Sequence, residues 1–377
     1  MTIACLADLA DPVCCPRLVV KVGSALLVGE DGKPRREWLA TLVKEIAAAR
    51  KRGQQVVVVS SGAIALGAAK LGLAKRGRGS LADAQAAAAV GQIALAGLWS
   101  ELLEKQGLTA AQLLVTLEDL DDRRRYLNAS ATIGKLLESG AVPVINENDS
   151  VATEEIRFGD NDRLAARAAQ AARADAVALL SDVDGLYNRD PREPGAEMLP
   201  LVEGVTAEIH EMASTASTSG LGSGGMTSKL QAAEIAERAG IALAIINGTH
   251  DHPIQRALGA GVGTLFMPRR NDGALKAWLG GRQRMGGVLL VDAGCAKALA
   301  KGGSLLAAGI VSCEGSFNRG DPVSVRDEKG RPVAQGLVEY NSDEVSRIIG
   351  HSTEELEPLL GYSPRSAVIH RDQLVLL

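Results

Sequence analysis

From Leu18 to about Phe266, short runs of aliphatic and β-branched residues alternate with longer stretches in which Ala, Leu and Ile recur at helical spacing. Strands are predicted at Leu18–Val22, Gln55–Val59, Leu113–Val115, Val142–Ile145, Val177–Leu180 and Ile241–Ile246. Most of these runs are continuously apolar, the pattern of strands buried on both faces. Between them the 3.6-residue period predicts helices at Trp38–Arg50, Leu81–Lys105, Asn128–Ser139, Arg163–Arg173 and Lys229–Ala239. Strands alternating with helices of that length build βαβ units, so the expected fold class is α/β with a mainly parallel sheet covered on both faces.

The pattern changes at Pro268–Gly287, which is basic, rich in Gly and Arg, and lacks a sustained β period. It predicts a linker around a short helix at Leu275–Leu279. Beyond it, short strands at Gly287–Val291, Asp321–Arg326, Val333–Tyr340 and Ala367–His370 are broken by Gly and Asn turns, with helical pieces near Ala296–Ala300 and Asp343–Ile349. A small β-rich domain of roughly 80–90 residues is expected there.

Composition narrows this picture in three ways. With 46% apolar but only 3% aromatic residues in 377, the cores must be built from Ala, Val, Leu and Ile. The formal charge of −4 argues against a dedicated nucleic-acid binder, and leaves Arg269, Arg270, Lys276, Arg282 and Arg284 as the one local basic segment that could meet RNA. The five cysteines have neither metal-ligand spacing nor the density of a disulfide scaffold, which fits a reducing cytoplasm. The first 16 residues carry acids ahead of their apolar stretch, unlike a signal peptide, and read as a variable tail without a role. No run approaches the ~18 consecutive apolar residues of a membrane span.

Five motifs carry candidate chemistry. Lys21 lies inside the apolar run Val19-Val20-Lys21-Val22-Gly23-Ser24, where an unpaired ammonium would be costly, so it should meet an anion or sit at the strand's end. The run Val56–Val59 leads into Ser60-Ser61-Gly62 and a helical pattern, an arrangement that offers free amides and hydroxyls to a carboxylate or phosphate. Asn146-Glu147-Asn148-Asp149 follows a third buried-type strand, and Gly159-Asp160-Asn161-Asp162 precedes a helix. Ser181-Asp182-Val183-Asp184-Gly185 closes a fourth strand and could hold ribose or phosphates. The acidic segments sit at predicted strand-to-loop or loop-to-helix junctions, and in open α/β sheets ligands gather outside the carboxyl ends of the strands.

The fifth motif is Gly220-Leu221-Gly222-Ser223-Gly224-Gly225-Met226-Thr227-Ser228-Lys229. Its glycines satisfy G-x-G-x-x-G, yet no strand precedes them, so a dinucleotide site is excluded; no P-loop pattern occurs anywhere. Ser228 with Gln231 reads as a capping box. That would put Lys229 in the first turn, opposed by the helix dipole unless a phosphate lies between.

Together these motifs supply two lysines, anion-binding loops and carboxylates, and no His or Cys nucleophile. Phosphoryl transfer to an already ionised carboxylate needs no protein base, only positioning and charge neutralisation.

In order and spacing, VVKVGS, VVVVSSGAIALG, RRYLNA, VPVINENDSVAT, FGDNDRLAA, LLSDVDGLYNRDP, GLGSGGMTSKLQAA and the C-terminal LLAAGIVSCEGSFNRGDPV resemble the amino acid kinase superfamily, and within it the glutamate 5-kinase family. The resemblance implies an αβα sandwich, the amino acid kinase fold, over residues 17–267, a linker over 268–285 and a PUA domain over 286–365. It implies that Lys21 and Lys229 stabilise the transferring phosphoryl group and that Asp162 holds both. Ser61, Asp149 and Asn161 carry over as glutamate-binding residues. Lys21, Ser181, Asp182, Ser223, Gly224, Gly225, Met226, Thr227, Ser228 and Lys229 carry over as the ATP site.

Mg²⁺ would bridge the phosphates through water, with no protein residue assigned to a metal. Feedback inhibition by proline, a homo-oligomer and hand-over of a labile product to a downstream reductase are further implications. The free ammonium of glutamate suits an anionic Asp149 better than an N-acetylated acid would. The competing readings are a kinase of the same fold acting on aspartate, acetylglutamate or a nucleotide, and an RNA-associated regulator working through the PUA domain.

Overall fold

A computed structural model describes residues 3–151, 160–215, 225–268, 285–362 and 365–377. It divides into two compact units, Met1–Asn271 and Asp272–Leu377. In the first unit the strands are β1 (Arg17–Val22), β2 (Gln55–Ser60), β3 (Ala110–Val115), β4 (Val142–Glu147), β5 (Ala176–Ser181), β6 (Leu201–Glu203), β7 (Ala242–Asn247) and β8 (Thr264–Met267). Its helices are α1 (Ser24–Leu27), α2 (Arg36–Lys51), α3 (Ala63–Leu71), α4 (Leu81–Glu104), α5 (Leu117–Asp121), α6 (Arg123–Glu138), α7 (Asp160–Ala172), α8 (Ala207–Thr215), α9 (Gly225–Arg238) and α10 (Pro253–Ala260).

The strands form one sheet in the order β3-β4-β2-β1-β5-β7-β8-β6. Every pairing is parallel except β7 with β8. The mainly parallel α/β architecture expected from the alternation is therefore present, with β1 near the middle of the sheet. Strand alternation sorts the side chains. Leu18, Val20 and Val22 join Val56, Val58, Ala178 and Leu180 in a core shared with α2 and α4. Val19 and Lys21 therefore point to the other face, where α7 packs on β1, β2, β4 and β5.

Three local features depart from the sequence reading. The N-terminal segment, expected as a variable tail without a role, packs into the domain: Leu6–Ala10 forms a 3₁₀ turn, and Ile3, Leu6, Leu9 and Cys15 are buried in the main core. Gln54, which is fully buried, fastens this segment by donating from Nε2 to the carbonyls of Leu9 at 2.9 Å and Cys15 at 2.8 Å. Helix α9 starts at Gly225, so Ser228 lies inside it rather than at its N-cap position. Burial of Ser228, Lys229 and Leu230 outweighs the poor helix propensity of the preceding glycine. The third departure is that β6 and β8, three and four residues long, are too short to show a period and were not anticipated.

Helix α4, 24 residues long and rich in Ala and Leu, is a core helix: Leu95, Leu98, Trp99, Leu102 and Leu103 are buried with the sheet. Its contact with α3 is backbone to backbone, because a Cβ on Gly91 would lie 1.7 Å from the carbonyl oxygen of Ala63.

The second unit is a five-stranded sheet in the order β10-β9-β11-β12-β13, from β9 (Gly287–Val291), β10 (Ile310–Gly315), β11 (Pro322–Asp327), β12 (Pro332–Leu337) and β13 (Leu374–Leu376). Helices α11 (Ala293–Ala300), α12 (Ser342–Ile348) and α13 (Leu356–Leu360) complete it. Its separate core gathers Leu289, Val325, Tyr340, Ile348 and Ile369. Strand β10 and the terminal β13 were not anticipated, whereas Ala367–His370 contributes only a bridge between Leu305 and Ile369. The helix expected at Leu275–Leu279 and the basic segment around it lie outside the described residues.

Candidate active site

Because β1, β2, β4, β5 and β7 run parallel, the segments that follow them share one edge of the sheet. Gly23, Ser61, Asn148-Asp149, Asp182 and Gly248 are thus placed around the carboxyl ends of the central strands, and α7 and α9 pack against each other nearby.

At the centre are two lysines on one carboxylate. The Lys21 ammonium contacts Asp162 Oδ1 at 2.5 Å, and the Lys229 ammonium donates to Asp162 Oδ2 at 3.2 Å and to the Gly225 carbonyl at 3.2 Å. Lys21, Asp162 and Lys229 are 7%, 1% and 8% exposed. Burial alone would push the Asp162 carboxyl upward, but the flanking ammonium groups win and hold it below its ordinary value. Among the described residues Asp162 is the one carboxylate paired with either lysine, so the trio carries an excess positive charge out of water. Such a charge is expensive unless an anion joins it.

On the β2 and β4 side, Ser61 is buried and donates its N–H to the Val22 carbonyl at 3.1 Å, followed by Gly62 in the left-handed region at φ 109°. Ser60, beside it, accepts from Trp99 Nε1 of α4 at 2.9 Å. Asp149 is buried after β4. Desolvation lowers the Arg78 guanidinium, and the Asp149 carboxylate opposes that shift. Asn161, in the first turn of α7, has a buried Oδ1 without a hydrogen-bond partner among the described residues, and so does Asn146, whose Nδ2 donates to Gln92 at 2.7 Å.

The β5 side begins with Ser181, buried, its hydroxyl donating to the exposed Asp182 at 3.2 Å. Gly225, Met226, Thr227 and Ser228 occupy the first turn of α9, whereas Ser223 and Gly224 lie outside the described residues. Of the expected site residues, Lys21, Asp162 and Lys229 are in direct contact. Ser61, Asp149, Asn161, Ser181 and Asp182 share the same edge of the sheet.

Four neighbours escaped the sequence reading. Arg78 belongs to a basic loop, Trp99 and Gln92 to an alanine-rich helix, and Asn247 to an Asn-Gly turn after β7. Only the last carried a local signal, a turn dipeptide directly behind a buried strand.

The chain belongs to the amino acid kinase family, whose model matches residues 16–247, and a PUA domain model matches residues 287–360. Three curated relatives give the particular kind. The glutamate 5-kinase of Novosphingobium aromaticivorans is 68% identical over 377 residues, covering 100% of both chains. That of Sphingopyxis alaskensis is 57% identical over 370 residues, 98% of this chain and 100% of the relative. That of Zymomonas mobilis is 52% identical, covering 97% of this chain and 92% of the relative.

Proposed function

We propose that the chain transfers the γ-phosphoryl group of ATP to the side-chain carboxylate of L-glutamate, giving L-glutamyl 5-phosphate, the first step of proline biosynthesis. The observation that carries this reading is the buried Lys21–Asp162–Lys229 trio, one charge short of neutrality at the sheet edge where substrates bind. A phosphoryl group in flight, with negative charge on its equatorial oxygens, supplies the missing anion. Asp162 holds the two ammonium groups at fixed separation, so their charge is in place before reaction.

The acceptor carboxylate is ionised near neutral pH and needs no base. Ser61, Asn161 and Asp149 are the residues proposed to hold glutamate, with Asp149 receiving the α-ammonium. Ser181, Asp182 and residues 223–229 are proposed to hold ATP. Both oxygens of Asp162 are taken by ammonium groups, so this carboxylate is not offered to Mg²⁺, which would enter with the phosphates of ATP. When bound there it withdraws charge from the phosphates.

Residues 17–267 form the catalytic domain in this reading, 268–285 a linker and 286–365 the PUA domain. A cytoplasmic, homo-oligomeric enzyme inhibited by proline completes it. Its acyl phosphate product is labile and suited to direct reduction by a downstream enzyme.

Hydroxylamine trapping tests the assignment. Protein, ATP and Mg²⁺ should yield γ-glutamyl hydroxamate with L-glutamate and little with aspartate or N-acetylglutamate, and no ADP with UMP. Preference for any of those acceptors would overturn it.

A further inference from the structure

We propose that Asn247 is a positioning residue that locks the 181–187 loop into its nucleotide-receiving shape; this rests on the reading of that loop as part of the ATP site. Asn247 ends β7 in register with Ser181, which ends β5. The next residue strengthens the pairing, with Gly248 N–H donating to the Ser181 carbonyl at 2.7 Å. A Cβ at Gly248 would lie 2.5 Å from Leu26 Cδ1 and 2.9 Å from Leu180 Cβ, so only glycine lets the two strand ends approach this closely.

The Asn247 amide has one orientation. Its Oδ1 accepts from both Thr249 N–H at 2.9 Å and Thr249 Oγ1 at 2.6 Å, two donors that fix which end is oxygen. Its Nδ2 is thereby aimed at Asp184 Oδ1, 2.9 Å away in the middle of the loop. The other Asp184 oxygen faces the Tyr187 hydroxyl at 3.5 Å. Further on, Leu186 N–H donates to Thr264 Oγ1 at 2.7 Å, and the Thr264 hydroxyl donates to the Leu199 carbonyl at 2.6 Å.

The loop is therefore tied to β7 at its centre through Asn247 and to β8 at its end through Thr264. Neither tie uses Ser181 or Asp182, the residues proposed to meet ATP. A loop held in its bound shape binds its ligand without an ordering cost, so the lock should appear in nucleotide affinity rather than in turnover.

Asn247→Asp sets a carboxylate against Asp184 and removes the donor. Losing a hydrogen bond to a charged group should raise KM for ATP by about 10- to 50-fold, with KM for glutamate and kcat changed less than about threefold. The exchange variant Asp184→Asn with Asn247→Asp restores one donor facing one acceptor while Thr249 still reaches residue 247. It should recover most of the loss. ADP binding by calorimetry, on wild type and variants, gives the same ranking without any acceptor. If wild type fails to phosphorylate glutamate while ADP affinity follows this ranking, the substrate assignment falls and the positioning role stands. If Asn247→Asp does not fold, Thr249→Val, which removes one of the two donors fixing the amide, should weaken ADP by about two- to fivefold. Unchanged nucleotide affinity in a folded Asn247→Asp or Thr249→Val variant, or an exchange variant no better than Asn247→Asp, would overturn the proposal.

Discussion

The Lys21 ammonium lies 2.5 Å from Asp162, a contact set by strand alternation: Lys21 shares the face of β1 that α7 covers, and Asp162 stands in the first turn of α7. A one-residue slip of β1 would turn Lys21 into the opposite core and strand Asp162 with a single cation. The sheet register and the charge geometry of the site are therefore one property. Asp162→Asn tests it at neutral pH, where removing the acid leaves two buried ammonium groups unpaired and should cost about 3–5 kcal/mol in urea unfolding.

The pH dependence of that cost follows from the depressed Asp162 carboxyl, held down by its lysines against burial. A group lowered in the folded state contributes stability that is complete above its unfolded value and fades as pH falls through the folded value. The gap between wild type and Asp162→Asn should stay constant down to about pH 4 and narrow below it. Urea midpoints across pH 3 to 7 measure this; a gap that narrows toward neutral pH would contradict the ion-pair account.

Lys229 sits a full turn into α9, buried, with its ammonium shared between Asp162 and the Gly225 carbonyl. Lys229→Met keeps the length of the chain and removes the charge that would meet the phosphoryl group. Turnover should fall by roughly 10²–10³, the scale for one preorganised electrostatic donor. Near-normal kcat in folded protein would remove Lys229 from the chemistry.

Asp149 offers a test of the acceptor side. Replacing it by Asn would delete the proposed charge-assisted contact with the α-ammonium, made equally in ground and transition states, a loss of roughly 2–3 kcal/mol. KM for glutamate should rise by about 30- to 150-fold with kcat and KM for ATP little changed. An effect confined to ATP would move Asp149 to the nucleotide side.

Part of the candidate site could be read from the chain because Lys21, Ser60-Ser61, Asn146–Asp149 and Ser181-Asp182 lie in or directly after strands whose apolar runs are unmistakable. Lys21 breaks the run around Val19, Val20 and Val22, and that break called for an anion or a place at the strand's end. What escaped were residues whose role depends on another element. Asn247 matters because β7 lies beside β5, and Trp99 because α4 brings its indole to Ser60. Neither relation has a local period. The same reasoning explains the N-terminal segment. Leu6 and Leu9 look like scattered apolar residues until Gln54, far along the chain, supplies the hydrogen bonds that fasten them.

That segment makes a stability prediction. Leu9 is 2% exposed within the main core, so Leu9→Ala should cost about 2–5 kcal/mol. A loose tail would show less than about 0.5 kcal/mol, the usual scale for surface substitutions. Chemical denaturation of the full chain separates the two.

The contact of α3 with α4 lies next to Ser61, a residue proposed to hold glutamate. Helix α3 begins at Ala63, directly after Ser61 and Gly62, so a shift of the helix pulls on the backbone that carries Ser61. Gly91 of α4 touches the first turn of α3 so closely that a Cβ would fall 1.7 Å from the Ala63 carbonyl oxygen and 2.6 Å from Gly67 N. Those are backbone atoms and cannot rotate away, so Gly91→Ala must push the helices apart. Overpacking of this kind costs about 1–3 kcal/mol or more. Where the protein still folds, the displacement should reach Ser61 before it reaches the β5 loop. KM for glutamate should then rise by several-fold, about 3- to 10-fold if the lost contact is worth roughly 1 kcal/mol, while ADP affinity stays within twofold. Steady-state kinetics with glutamate varied, set beside ADP calorimetry on the same preparation, decides it. A loss shared equally by both substrates would mean that the helix pair supports the whole sheet edge rather than its acceptor half.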